Sequence, residues 1–272
     1  SVVDAQKVLP WFKTTKRPEI PCVEIDDEPR FWYRGFMLDC GRHFFTVDEI
    51  KHILDGLAIY KYNYFHWHLT EDQGWRFEVK KYPRLTTVGS VAPDCRMTDM
   101  KKGHYWLGKP YGPYFYTQEQ CREIVEYARN LHIEVIPEID MPGHIMAALA
   151  AYPEFSCNPE GEHIGGDECP TSAWENNAMC QEHLANLVKE GKVKDLGKDN
   201  KHRFRPLQSY FITQMYDHIK ARGRKMILWN ESVTAAGADL DLIKSTGATI
   251  FCWNPCQQGA AIAASLGLDA VI

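Results

Sequence analysis

Phe36-Met37-Leu38-Asp39 is a short apolar run closed by an acid. Behind Thr46, a residue suited to an N-cap, Val47, Ile50, Ile53, Leu54 and Leu57 recur at helical spacing. Tyr62-Asn63-Tyr64-Phe65-His66-Trp67-His68-Leu69 then supplies aromatic strand formers. Strand, helix, strand in this order is a parallel pair joined by a crossover helix. The pattern repeats outward. Thr117-Gln118-Glu119-Gln120 reads as a capping box opening a helix to about Asn130, before a strand at Ile133-Glu134-Val135-Ile136-Pro137. Pro206 to Arg222 is an amphipathic helix stopped by Gly223. Strands are expected at 225–229 and 249–253, a short helix at 260–266, and a further strand beginning at 269–272. A long irregular stretch, about 70–116, is expected to carry function.

An eight-fold barrel and an open doubly wound sheet both fit that alternation. The polar residues favour the barrel, because they gather where strands finish: Asp39, His66 and His68, Glu138 and Asp140, Asp167 and Glu168, Trp229 and Glu231, and Trp253. Functional groups drawn from the ends of many strands are a barrel's habit. No Gly-x-Gly-x-x-Gly follows the first strand, which counts against a dinucleotide fold. The expected class is therefore α/β, a (β/α)8 TIM barrel, partial in the chain as given.

Size and composition agree with such a domain. With 272 residues at 44% hydrophobic, the chain can bury a large core. A net charge of −5 and the lack of a long Lys/Arg run argue against nucleic acid as a partner. No apolar stretch reaches the roughly 18–20 residues that would insert in a membrane. Nine cysteines form no CxxC pair and are read as buried thiols, so no structural metal is expected. Aromatic residues at 12% suit a pocket for sugar rings as well as a core.

His163-Ile164-Gly165-Gly166-Asp167-Glu168 is the chemical centre of the sequence. Two glycines let the backbone turn sharply, and two adjacent carboxylic acids in one pocket have their pKa values pushed apart. The ordinary alternative is a surface acid pair after a turn. His66 and His68 share one strand face, since side chains repeat every second residue. With His144 and Asp140 they could form a metal site, or hydrogen-bond a polar ligand or the barrel rim. Glu138 and Asp140 share a face if their strand continues that far, as a rim network or as ligand contacts. Tryptophans at two strand ends, Trp229 and Trp253, favour a walled pocket.

Arg34-Gly35 through His43, His66 through Arg76, Pro137 through His144, and His163 through Glu168 together resemble glycoside hydrolase family 20, the β-N-acetylhexosaminidases. The motifs occur in family order and cover about residues 29–272. The resemblance implies a retaining hydrolysis needing no metal or other cofactor, in which the substrate's 2-acetamido oxygen is the nucleophile. It casts Glu168 as the general acid and base, and Asp167 as the group steadying the acetamide and its oxazolinium product. It assigns Arg42, with Glu71 or Asp72, to the far-side sugar hydroxyls, and His144 to support of the acid. Trp229 and Trp253 become pocket walls, with Glu231 beside them on the substrate side. The partner is a glycan with a terminal β-linked N-acetylhexosamine. Residence is secreted, periplasmic or lysosomal by family habit.

Two departures from the family pattern are expected to matter. Only Ile145 to Glu162 separate the Pro-Gly-His turn from the Gly-Gly-Asp-Glu strand, with an abrupt join at about 158–162. The chain also stops where a seventh strand begins, so it is read as a partial record lacking the last strand or strands, with 1–28 the tail of a preceding small domain or a linker. Two rivals remain: a metal-dependent barrel amidohydrolase built on His66, His68 and His144, and a glycan-binding barrel without chemistry.

Overall fold

Two threonines start the helices that cover the first sheet. Thr46 accepts from the Glu49 backbone N–H and receives the Glu49 carboxylate on its own, and Thr117 makes the same reciprocal pair with Gln120. Each capping box satisfies two backbone donors that a helix start would otherwise strand. The computed structural model describes residues 24, 26–99, 103–156, 169 and 171–272. The expected strand at 163–168, with Asp167 and Glu168, lies outside the described residues.

The chain divides into two units, one running to Asp140 with Ala150–Tyr152 added, the other comprising Met141–Leu149 and Pro153–Ile272. In the first, strands β1 (Gly35–Asp39), β2 (Tyr64–His68) and β3 (Glu134–Glu138) pair in parallel in the order β1-β2-β3. The crossovers contain helices α1 (Val47–Ile59) and α2 (Gln118–Asn130). Alternation along β2 sends Phe65 and Trp67 into a core with Leu38, Ile50, Leu54, Ile124 and Ala128, all buried. That leaves His66 and His68 on the opposite face.

The stretch 70–116 is more ordered than its composition suggests. It holds a tight hairpin, Thr70–Glu71 against Gly74–Trp75, a short helix at Arg84–Thr87, and a second hairpin, Arg96–Asp99 against Gly103–Trp106. Ladders of two and four residues are too short to leave a period-2 signature, so the sequence pattern is silent on them.

The second unit contains α3 (Ala178–Lys189), α4 (Arg205–Lys220), β4 (Ile227–Trp229), α5 (Leu240–Thr246), β5 (Thr249–Phe251), α6 (Cys256–Leu266) and β6 (Ala270–Val271). Strands β4, β5 and β6 form a parallel sheet in that order. Its core joins Ile212, Met226, Ile243, Ile250 and Ala263. Helix α3 was not expected; Asn177 caps it and it buries Leu184 and Leu187. Helix α6 begins at Cys256 rather than near Ala260 because Pro255 precedes its first turn, where a missing N–H costs nothing. The described residues thus form two three-stranded parallel α/β sheets and no closed barrel. Among them no helix is long and apolar enough to cross a membrane. Cys40, Cys121, Cys252 and Cys256 carry free thiols.

Candidate active site

The carboxyl ends of the first sheet set the geometry. Register places Asp39 opposite His68 and His68 opposite Glu138, so the last residues of β1, β2 and β3 form one row. His68 Nδ1 and His66 Nε2 both meet the same Glu138 oxygen, at 2.6 and 2.7 Å. Burial alone would raise the Glu138 carboxyl, but the hydrogen bonds and charges of the two imidazoles override it and hold it well below the usual range. Burial likewise opposes charge on His68. The hydrogen bond to Glu138, with the charges of Glu138, Asp39 and Asp140, outweighs it and raises the imidazole pKa. Of the two readings of this region, Glu138 fits the rim network.

Arg42 leaves the row toward solvent. Its side chain is half exposed, and its guanidinium meets Asp39 at 2.6 Å and also Glu71. Its backbone N–H donates to the other Asp39 oxygen at 2.9 Å. Glu71 is fully buried, while the N–H of Asp72 donates to it at 2.6 Å. Of the two acids the sequence offered, Glu71 is the one paired with Arg42. Gly41 permits this approach: a Cβ there would stand 2.5 Å from the Glu71 Cβ.

Beneath this pair lies Arg76, which is completely buried. It donates to the carbonyls of Cys40 (3.1 Å), Gly41 (3.0 Å), Ser90 (2.7 Å) and Tyr114 (3.0 Å). Two of those carbonyls immediately precede Arg42, so Arg76 fixes the turn that presents it. Gly74 leaves room for the guanidinium, since a Cβ would fall 2.1 Å from its central carbon.

Donor atoms of His68, Glu71 and Asp140 lie within 4.8 Å of one another, a grouping among the described residues that could hold a cation. Arg42 already places a positive charge on Glu71, which disfavours a second cation there. His66, part of the metal site considered from sequence, instead faces Glu138.

In the second unit, β4 and β5 end side by side. Trp229, opposite Phe251, meets its ring edge-on with centroids 6.1 Å apart. Glu231 is half-buried and opens a four-residue helix, Glu231–Thr234. Trp253 follows β5 and is 47% exposed. His144 sits in the left-handed region at φ 41°, uncommon for a side chain with a Cβ. Asp39 and Glu138 were expected only as polar residues at strand ends, Glu138 as a rim residue or ligand contact, whereas Arg76 was not singled out at all.

Each unit is a parallel β/α sheet with polar or aromatic residues at the carboxyl ends of its strands, the edge where β/α enzymes carry their functional groups. The model of the glycosyl hydrolase family 20 catalytic domain matches residues 31–162 and 159–272, two stretches that meet at the abrupt join seen in the sequence. The chain belongs to glycosyl hydrolase family 20. It is similar to a beta-hexosaminidase of Porphyromonas gingivalis, 39% identical over 293 aligned positions covering 93% of this chain and 34% of that one. A beta-hexosaminidase of Vibrio furnissii is 32% identical, over 93% of this chain and 44% of its own length. The chain therefore spans less than half of these relatives. Among solved structures it resembles a beta-N-acetylhexosaminidase from Bacteroides fragilis, with TM-score 0.75, 30% identity, and coverage of 100% of this chain and 56% of that one. It also resembles a Vibrio harveyi exo beta-N-acetylglucosaminidase bound to N-acetylglucosamine, with TM-score 0.66, 28% identity, and coverage of 90% and 41%.

Proposed function

We propose that the protein is an exo-acting, retaining β-N-acetylhexosaminidase that removes terminal β-linked N-acetylglucosamine or N-acetylgalactosamine, with residues 29–272 belonging to a (β/α)8 barrel. The observation that carries the reading is the Arg42–Glu71 pair. A half-exposed guanidinium, oriented by two carboxylates at strand ends, suits paired sugar hydroxyls. Family membership supplies the rest.

In this reading Arg42 and Glu71 grip the hydroxyls far from the scissile bond. Glu168 gives its proton to the departing glycosidic oxygen while the carbonyl oxygen of the 2-acetamido group bonds to the anomeric carbon. An ionised Asp167 accepts from the acetamide N–H and steadies the oxazolinium cation. It also helps keep Glu168 protonated near neutrality, since a like charge beside an acid raises its pKa. Glu168, now a carboxylate, takes a proton from water, whose oxygen attacks the anomeric carbon and reopens the ring with retention. His144 supports the acid, and Trp229 and Trp253 enclose the acetamido methyl with Glu231 at their side. By family habit the protein acts outside the cytosol.

Glu168→Gln is expected to abolish release of a β-N-acetylglucosaminide from a folded protein, and full activity in that variant ends the proposal. A thiazoline mimic of the cyclised acetamide should inhibit strongly, and weakly in Asp167→Ala. Chelation should leave turnover unchanged; loss on chelation with recovery on adding zinc would favour the metal-dependent rival, posed from sequence on His66, His68 and His144, with the His68, Glu71 and Asp140 grouping as the candidate centre.

A further inference from the structure

Asn230 is fully buried between the end of β4 and the loop that follows β5. Its backbone N–H donates to the Phe251 carbonyl at 2.9 Å, one step beyond the Trp229–Phe251 pairing. There the β4 chain leaves the sheet, because the Asn230 carbonyl accepts from Val233 and Thr234 and starts the short helix bearing Glu231. The β5 segment runs on through Cys252, Trp253 and Asn254 with no strand beside it on that side among the described residues. The Asn230 side chain replaces the missing strand: its Oδ1 accepts from the Trp253 N–H at 3.1 Å and its Nδ2 donates to the Asn254 carbonyl at 3.3 Å. On the other side, the Cys252 N–H reaches the Val271 carbonyl of β6 at 2.8 Å.

An acceptor and a donor on one short planar group is what this place requires. The asparagine amide offers both, on separate atoms of one uncharged planar group. Gly259 of α6 makes the room. A Cβ on Gly259 would stand 2.7 Å from the Asn230 Cβ, closer than two such carbons approach.

We infer that Asn230 is a positioning residue for Trp253, and through it for recognition of the substrate's N-acyl group. Trp253 is nearly half exposed, so packing supplies less of its orientation than it would for a core ring. The direction of such a side chain is set largely by its own backbone, and the Asn230 amide holds that backbone at Trp253 N–H and at the next carbonyl. The assignment to acyl recognition rests on the family-20 reading of Trp253 as a pocket wall; the assignment to Trp253 itself does not.

The test keeps these two apart. Acrylamide quenching of tryptophan emission is measured in the protein and in Trp253→Phe, the difference giving the Trp253 contribution. Asn230→Leu, which keeps the shape and deletes both hydrogen bonds, should change that contribution while the melting curve stays cooperative. Gly259→Ala keeps the amide but displaces it, and should shift the Trp253 signal in the same direction even if Asn230→Leu fails to fold. An unchanged Trp253 signal in the folded variants overturns the inference whatever the activity. For turnover, the readout is the ratio of kcat/KM on an N-acetyl to an N-propionyl glucosaminide. One extra methylene in a fitted pocket is worth about 10- to 200-fold, and both variants should bring that ratio toward one. A merely structural role would lower both substrates equally. Wild-type protein that cleaves neither substrate refutes the family-20 reading of this pocket, not the Trp253 link.

Discussion

Replacing Arg76 with methionine tests how the Arg42 turn is held. The guanidinium donates to four buried carbonyls, of Cys40, Gly41, Ser90 and Tyr114. The Ser90 carbonyl also accepts from the Tyr114 N–H and keeps a partner. The other three lose the donor observed here, at about 1–3 kcal/mol for each stranded buried group. Methionine also removes a buried cation whose desolvation opposed folding, so part of that cost returns. The net loss expected is about 3–5 kcal/mol, the range found when a buried charge network is broken. Against a total stability of about 5–15 kcal/mol this is large, yet it leaves a protein that folds in the cold. Urea denaturation followed by tryptophan emission reads it directly. Arg76→Lys should recover part of the loss, because an ammonium reaches some but not all of four carbonyls placed around a planar fork. A methionine variant within about 1 kcal/mol of wild type would refute the reasoning, since ordinary surface substitutions fall inside that margin. Gly74→Ala offers an independent route, because its Cβ would evict the same guanidinium.

Glu71→Gln keeps the size of the side chain and removes the charge that Arg42 meets. A charge-assisted hydrogen bond is worth about 1.5–3 kcal/mol, so the folded state should lose about that much and kcat/KM on a β-N-acetylhexosaminide should fall roughly 10- to 100-fold; unchanged kinetics would remove Arg42–Glu71 from substrate binding. For His68 the folded pKa is raised, so its contribution to stability is complete below the unfolded value of about 6.5 and is lost as pH climbs through the higher folded value. The stability gap between wild type and His68→Gln should therefore narrow above that pH, and a gap that stays constant across the neutral and alkaline range would contradict the charge on His68.

Much of the β/α order was legible because its signals are local. Thr46 and Thr117 announce their helices from within four residues, and both capping boxes form. The apolar spacing of Ile50, Leu54 and Leu57 marks the buried face of α1, and all three are buried. What stayed hidden depends on partners distant in sequence. The hairpins inside 70–116 are two- and four-residue ladders whose pairing has no repeating pattern behind it. Cys256-Gln257-Gln258-Gly259 reads as a loop, since glycine weakens a helix interior by about 1 kcal/mol. The helix nevertheless starts at Cys256, behind Pro255, and residue 259 within it has no room for a side chain because Asn230 fills that space.

The site divides along the same line. Period-2 spacing puts His66 and His68 on one face, but their shared target, Glu138, is settled by the register of β2 against β3, about seventy residues along the chain. Adjacent acids at Glu71 and Asp72 cannot be ranked from their order, because the tight hairpin at 70–75 decides which carboxylate turns inward to Arg42. Residue type told which chemistry was present, whereas strand register and turn geometry told which atom of each side chain is used. Asn230 carries that distinction furthest. In the sequence it is a polar residue between Trp229 and Glu231, indistinguishable from a turn. In the fold it lends a peptide-like amide to a loop that has outrun its neighbouring strand. Side chains of this kind, buried, uncharged and bonded to backbone on both sides, set the orientation of the groups that touch a ligand without touching it themselves, so spacing and charge patterns pass over them.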